Sequence, residues 1–155
     1  MQKALDIKIP SVGERHMSVG QTFNNMAIVY RHQGDYPKAL EYSQKALDIY
    51  IPSVGEQHMS VAKTFNNMAL VYWHQGDYPK ALEYYQKALD IYIPSVGEQH
   101  VEVAMTFQGM AGTFEKQDNR SDALQFYRKA MEIYRQSHGD RYTPWFEAQI
   151  ERLGD

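Results

Sequence analysis

The stretch "VAKTFNNMALVYWHQGDYPKALEYYQKALDIY" (Val61–Tyr92) decides how the chain folds. Val61, Phe65, Met68, Ala69 and Tyr72 recur at helical spacing and make one apolar stripe. Gly76 then predicts a stop, because Gly takes the left-handed backbone that follows a helix end. Asp77 predicts an N-cap for a second helix, with Pro79 tolerated in its first turn. The second stripe is Tyr78, Ala81, Leu82, Tyr85, Ala88, Leu89 and Tyr92. Pro94 predicts the close of that helix, leaving "SVGEQH" (Ser95–His100) as a linker. One feature resists the pattern: Asn66 and Asn67 sit mid-helix, where an amide competes for backbone hydrogen bonds.

The same unit recurs along the chain. Residues 17–58 and 59–100 align at a shift of 42 and differ at five positions only: Gly20/Ala62, Gln21/Lys63, Ile28/Leu70, Arg31/Trp73 and Ser43/Tyr85. A third, more diverged copy covers 101–142, where "FNNMA" has become "FQGMA" (Phe107–Ala111). Gln2–His16 repeats Gln44–His58 except at Lys8/Tyr50 and Arg15/Gln57. The organisation read from this is a truncated repeat over 1–16, full repeats over 17–58, 59–100 and 101–142, and a C-terminal capping helix over 143–155. A chain that opens in the second half of a repeat is expected to be a piece of a longer array.

Composition narrows the function. The chain has 155 residues and a formal net charge of −3, with 16 basic and 19 acidic residues and no basic block, so no nucleic-acid partner is expected. No apolar run approaches the roughly 20 residues of a membrane span, and "MQKALDIKIP" has no signal-peptide core. The absence of Cys excludes disulfides and thiolate chemistry and fits a cytoplasmic setting. His16, His58 and His100 recur because the linker recurs, and His32 and His74 lack a carboxylate cluster. No metal, cofactor or catalytic activity is expected.

A two-helix hairpin cannot bury both of its stripes alone, and stacking like hairpins buries them. The pattern resembles the tetratricopeptide repeat over nearly the whole chain. Small residues stand where that family's helices cross closely: Ala27, Ala69 and Ala111 in the first helices, then Ala39, Ala81 and Ala123, and Ala46, Ala88 and Ala130, in the second. The long repeats look most like those of kinesin light chains and related proteins, with "NNMA" where that group has "NNLA". The resemblance implies an all-α, right-handed solenoid of helix-turn-helix repeats. It also implies that the first helices line a concave groove used for protein–protein interaction.

On a helical wheel, the face of the middle first helix opposite its core stripe carries Lys63, Asn67, Leu70 and His74, with Trp73 on the flank beside Asn66. The matching set in the first unit is Gln21, Asn25, Ile28 and His32, and in the third Met105, Gly109, Gly112 and Lys116. An Asn side chain offers a donor and an acceptor to the unpaired groups of an extended peptide. The resemblance implies that role for Asn25 and Asn67, the alternative being that they bridge adjacent repeats or face water, whereas Asn24 and Asn66 read as structural or solvated. The expected peptide-binding residues are therefore Gln21, Asn25, Ile28, His32, Lys63, Asn67, Leu70, Trp73 and His74. Lys63, His74, His32, Arg31 and Lys116 make an acidic peptide the fitting ligand. Chaperone-binding relatives hold a terminal carboxylate with five set side chains, of which only Asn67 matches, so that role is rejected. Gly109 and Gly112 read most simply as glycines tolerated at exposed positions of a diverged unit, at some cost in helix stability, and otherwise as a hollow or the close approach of another segment.

"RYTPWFEAQIERLGD" departs from the repeat. Thr143 predicts an N-cap, Pro144 the first helical residue and Gly154 the stop, with Phe146, Ile150 and Leu153 on one face. At the other end, Ala4, Leu5 and Ile7 form only a short uncapped remnant. That open edge supports a second reading, a structural spacer or self-associating solenoid within a larger repeat protein.

Overall fold

A computed structural model describes residues 17–154. The truncated repeat over 1–16, with the open edge invoked for self-association, lies outside the described residues. Among those described, seven α-helices follow one another: α1 (Met17–His32), α2 (Tyr36–Val54), α3 (Met59–His74), α4 (Tyr78–Val96), α5 (Val101–Lys116), α6 (Arg120–His138) and α7 (Thr143–Gly154). A short 3-10 turn, Gly139–Arg141, joins the last two. The result is an all-α solenoid. Helices pair as α1–α2, α3–α4 and α5–α6, and each second helix also packs on the first helix of the following pair.

The turn inside each hairpin follows from two residues. Gly76 takes φ +78°, and the Asp77 N–H reaches back to the Tyr72 carbonyl at 2.9 Å while the Gly76 N–H reaches Trp73 at 3.0 Å. This is the Schellman arrangement, which satisfies carbonyls orphaned at the helix end. Asp77 Oδ1 then accepts from the Lys80 N–H at 3.2 Å and caps α4. Gly34 and Asp35 do the same for α1 and α2. In the third hairpin Asp118 occupies the glycine position with φ +57°, and Asn119 is the cap.

Two sequence expectations need correction, and the linker histidines gain a role. Pro94 does not close α4, which runs on to Val96, and Pro52 likewise sits inside α2. A proline in the last turn forfeits one hydrogen bond, here at exposed positions where water reaches the freed carbonyl. Gly97, at φ +87°, ends the helix through its N–H to the Ile93 carbonyl. The recurring linker histidines are helix caps: Nδ1 of His58 accepts from the Ser60 N–H at 3.1 Å, and Nδ1 of His100 from that of Glu102 at 3.2 Å. Thr143 begins α7, but its hydroxyl donates back to the Asp140 carbonyl at 3.0 Å rather than capping.

The core runs through all three hairpins. The crossing alanines 39, 46, 69, 81, 88, 111, 123 and 130 are fully buried, and Ala27 nearly so. One cluster extends from Val19 to Ile133. A second joins Ala123, Tyr127 and Ala130 to Phe146 and Leu153, so α7 covers the open side of α6. Arg152 Nη2 donates to Glu115 Oε1 at 2.7 Å, and Glu115 Oε2 accepts from the Tyr127 hydroxyl at 3.1 Å, tying α7 to α5 and α6.

Asp118 pays a left-handed backbone cost that Gly34 and Gly76 avoid. Asp118→Gly is expected to stabilise the chain by roughly 0.5–1 kcal/mol in chemical denaturation, the gain in backbone strain being partly offset by glycine's entropy.

Candidate functional site

The face left free by hairpin packing belongs to the first helices. Residues of α1, α3 and α5, with side chains reaching through from α4, α6 and α7, line a groove of about 630 Å³. From α3 come Lys63, Asn66, Asn67, Leu70, Trp73 and His74, and from α1 come Asn24 and Ile28. The third hairpin adds Glu102, Met105, Gln108, Gly109 and Gly112. Tyr85 and Tyr92 of α4, Tyr127 and Tyr134 of α6 and Trp145 of α7 complete it.

Six of the nine expected residues therefore share one groove: Ile28, Lys63, Asn67, Leu70, Trp73 and His74. Gln21, Asn25 and His32 do not line it and are exposed on α1. The reason lies in the stacking. Asn67 faces the preceding first helix, where its Nδ2 donates to Asn24 Oδ1 at 3.1 Å. Asn25, at the same position one unit earlier, faces away from α3, to a side where no described helix lies.

The amide pair thus has two duties. Asn66 Nδ2 donates to the Thr106 hydroxyl at 2.9 Å and locks α3 to α5, as its structural reading requires. Asn67 bridges back to α1, yet its Oδ1 and the Asn24 amide have no protein partner among the described residues. Both amides reach outward, which is how the helix tolerates them.

The glycine of "FQGM" answers to a tyrosine. A Cβ at Gly109 would stand 2.6 Å from Cζ of Tyr85, whose ring is only 3% exposed. The close approach of another segment is therefore realised at Gly109, while a Cβ at Gly112 would meet only the Tyr127 hydroxyl, at 3.9 Å. One unit earlier the same two places hold Ser43 and Asn67, a small residue facing a larger one. Tyr85 and Tyr92, both members of the apolar stripe of the second helix, are buried in the groove floor. Burial first of all pushes both phenols well above their ordinary range, with Glu102 adding to the rise at Tyr92 and Arg31 opposing it at Tyr85.

Charge is uneven along the groove. The rim at the C-terminal ends of α1, α3 and α5 carries Arg31, His32, His74 and Lys116, the last standing 5.6 Å over the Trp73 ring. The opposite rim is mixed, with Lys63 and Glu102. Arg31 is half-buried, so the slot shared with Trp73 is not fully open, and burial lowers its guanidinium's proton affinity. Burial, then Arg31, then His32, hold the His74 imidazole below its ordinary 6.5. Among the described residues no three His, Cys, Asp or Glu gather as a metal site, and no helix is long and apolar enough to cross a membrane.

The five differences between residues 17–58 and 59–100 are not scattered. Eight of the forty-two residues in the second unit line the groove, and four of them (Lys63, Leu70, Trp73 and Tyr85) differ from the first unit. Only Ala62 differs among the other thirty-four.

Comparison with known proteins agrees with this architecture. Residues 1–51 and 60–136 match the tetratricopeptide repeat family, and the chain belongs to it. Among solved structures the fold is similar to that of BtubC (BKLC) from P. vanneervenii, with TM-score 0.79 and 23% identity over 89% of this chain. The chain spans 55% of that structure's length. It is also similar to the nearly identical TPR-like repeats of a putative kinesin light chain from Podosopora anserina, with TM-score 0.71 and 14% identity over 99% of this chain and 83% of that one. The TPR2B domain of yeast Sti1, solved as a complex with pHsp70, gives TM-score 0.66 and 13% identity over 87% of this chain and 95% of that one. No curated protein sequence matches the chain.

Two measurements check the site. Gly109→Asn is expected to cost about 1–3 kcal/mol by forcing the Tyr85 ring from its place, and Tyr85→Ser a similar amount by leaving a cavity. The double variant, which recreates the Ser43/Asn67 pair, should recover much of the loss in a double-mutant cycle. In an NMR titration His74 should show a midpoint below 6.5 that rises in Arg31→Ala. Its folded-state midpoint being depressed, the unfolded chain binds the proton more readily, so His74 lowers stability only as pH falls below 6.5.

Proposed function

We propose that the chain is a protein-interaction module that holds an extended, partly acidic peptide across α1, α3 and α5. The carrying observation is the placement of the unit differences. Two units otherwise identical differ almost only at positions where the second of them lines the groove, so the substitutions bear on the surface that unit offers to a ligand.

The chemistry of the groove supports the reading. The spare carbonyl of Asn67 and the spare amide of Asn24 match the acceptor and donor that an extended backbone leaves unpaired. Leu70, Ile28 and the half-buried Trp73 offer an apolar bed. The cationic rim at the helix C-termini favours acidic ligand residues on that side, with Lys63 across from it. The fold-similar Sti1 domain bound to pHsp70 shows that this kind of scaffold can engage a partner. Binding, rather than a catalytic step, is the proposed function.

Degenerate peptide pools rich in Asp and Glu are expected to bind more tightly than pools rich in Lys and Arg, read by fluorescence anisotropy. Asn67→Ala should weaken the acidic pool by about five- to tenfold, the worth of a hydrogen bond or two, while Asn25→Ala changes nothing. Equal loss from both variants, or none from Asn67→Ala with helicity intact, would overturn the assignment.

A further inference from the structure

The C-terminal ends of α1 and α3 bring three basic side chains together without a counter-charge. Nη2 of Arg31 lies 3.4 Å from Nε2 of His32. A guanidinium only donates, so in this contact the imidazole nitrogen is the acceptor. His74, on the next helix, stacks on Tyr36 with ring centroids 5.9 Å apart and planes 8° from parallel, and meets the edge of Trp73 at 5.0 Å. These contacts fix its ring beside Arg31 and His32, which together depress its basicity after burial has done so.

Arg31 differs from the other arginines that bear on the groove and its cap. Arg152 is paired with Glu115, and Arg135 reaches Glu132, Asp140 and Glu147. Among the described residues no carboxylate stands within ion-pair distance of Arg31, His32 or His74. Nε of Arg31 is moreover buried with no hydrogen-bond partner among those residues. Attraction to helix C-termini explains basic residues in a last turn. It does not explain a half-buried guanidinium with an orphaned N–H, which costs stability. The matching positions in the later units, Trp73 and Glu115, carry no positive charge, so the feature belongs to this one place.

We propose that Arg31, His32 and His74 form a receptor for the phosphate group of a phosphorylated ligand residue, at the cationic edge of the groove. The inference rests on the peptide-binding reading and adds a specificity to it. A phosphate monoester brings close to two negative charges and three acceptor oxygens, which suits a fork of guanidinium donors flanked by two imidazoles from separate helices. A carboxylate brings one charge and two oxygens, and leaves part of this donor set unanswered.

The test uses the whole chain. Phenyl phosphate and benzoate are first titrated separately while the imidazole resonances of His32 and His74 are followed. Degenerate peptide pools with a fixed central phosphoserine, Glu or Ser are then compared by fluorescence anisotropy. Phenyl phosphate should move both histidines at about tenfold lower concentration than benzoate. The phosphoserine pool should bind about tenfold tighter than the Glu pool. Arg31→Gln should abolish that margin, weakening the phosphoserine pool far more than the Glu pool and leaving the Ser pool unchanged. Arg31→Trp, which copies the residue found at Trp73, should do likewise, so a folding defect peculiar to one variant cannot mimic the result. Equal affinity for phosphoserine and Glu pools, or a phosphate preference that survives both variants, overturns the receptor. Pools that bind with no phosphate preference leave the groove reading standing. Histidine shifts with phenyl phosphate in a chain that binds no pool support the anion receptor and count against the peptide groove.

Discussion

A helical hairpin has two apolar stripes and only one seam in which to bury them. That mismatch governs this molecule. The alanines at the crossings let α1 and α2, α3 and α4, and α5 and α6 close on each other, and what remains apolar on α2 and α4 is covered only by the next first helix. Hence one core cluster runs from Val19 to Ile133 across the junctions between units, and the second begins only within the third hairpin. On α6 the covering element is the single helix α7, which packs there with Phe146 and Leu153 while Arg152 and Glu115 hold it in register. Stability of such an array is a sum of units and interfaces, and no hairpin here has a complete core of its own.

The groove is the other side of the same constraint. Second helices are enclosed by their neighbours, so first helices present the surface that packing does not consume. Polar side chains there have a double function, because the helices that carry them must also be spaced. Asn66 spends its amide on Thr106, and Asn67 spends half of its own on Asn24, leaving the remainder to face outward. The tyrosines of the second helices reach between the first helices and form the floor, so the shape of the groove is set from behind as much as by the residues along its walls.

Much of this was legible in the sequence, for identifiable reasons. Helical period, the Gly-Asp turn and exact recurrence all act locally, and they located the helices, the hairpin turns and the caps at Asp35 and Asp77. Leu70, Trp73 and His74 could be assigned to the groove because a wheel separates the two faces of a helix. The wheel does not say which neighbour lies beside a face, and for that reason Asn25, Gln21 and His32 were grouped with residues they do not join. Pro94 misled because the penalty for an interior proline does not apply in a final, solvent-exposed turn. The imidazole caps at His58 and His100 were missed because such caps are usually hydroxyls, amides or carboxylates. Tyr85 was the most informative omission. Its replacement of Ser43, at one of five differing positions, was the available signal that a second-helix residue takes part in the site.

The fit of Tyr85 against Gly109 bears on how such an array can grow. Copying residues 59–100 in tandem would set the Tyr85 ring against the counterpart of Asn67, at the place where even a single added carbon meets it at 2.6 Å. A unit bearing Ser43 can be followed by one bearing Asn67, but a unit bearing Tyr85 calls for a glycine in its successor. Tandem copies of residues 59–100 would therefore have to move the Tyr85 ring, or change the residue opposite it, before they could stack as residues 59–142 do.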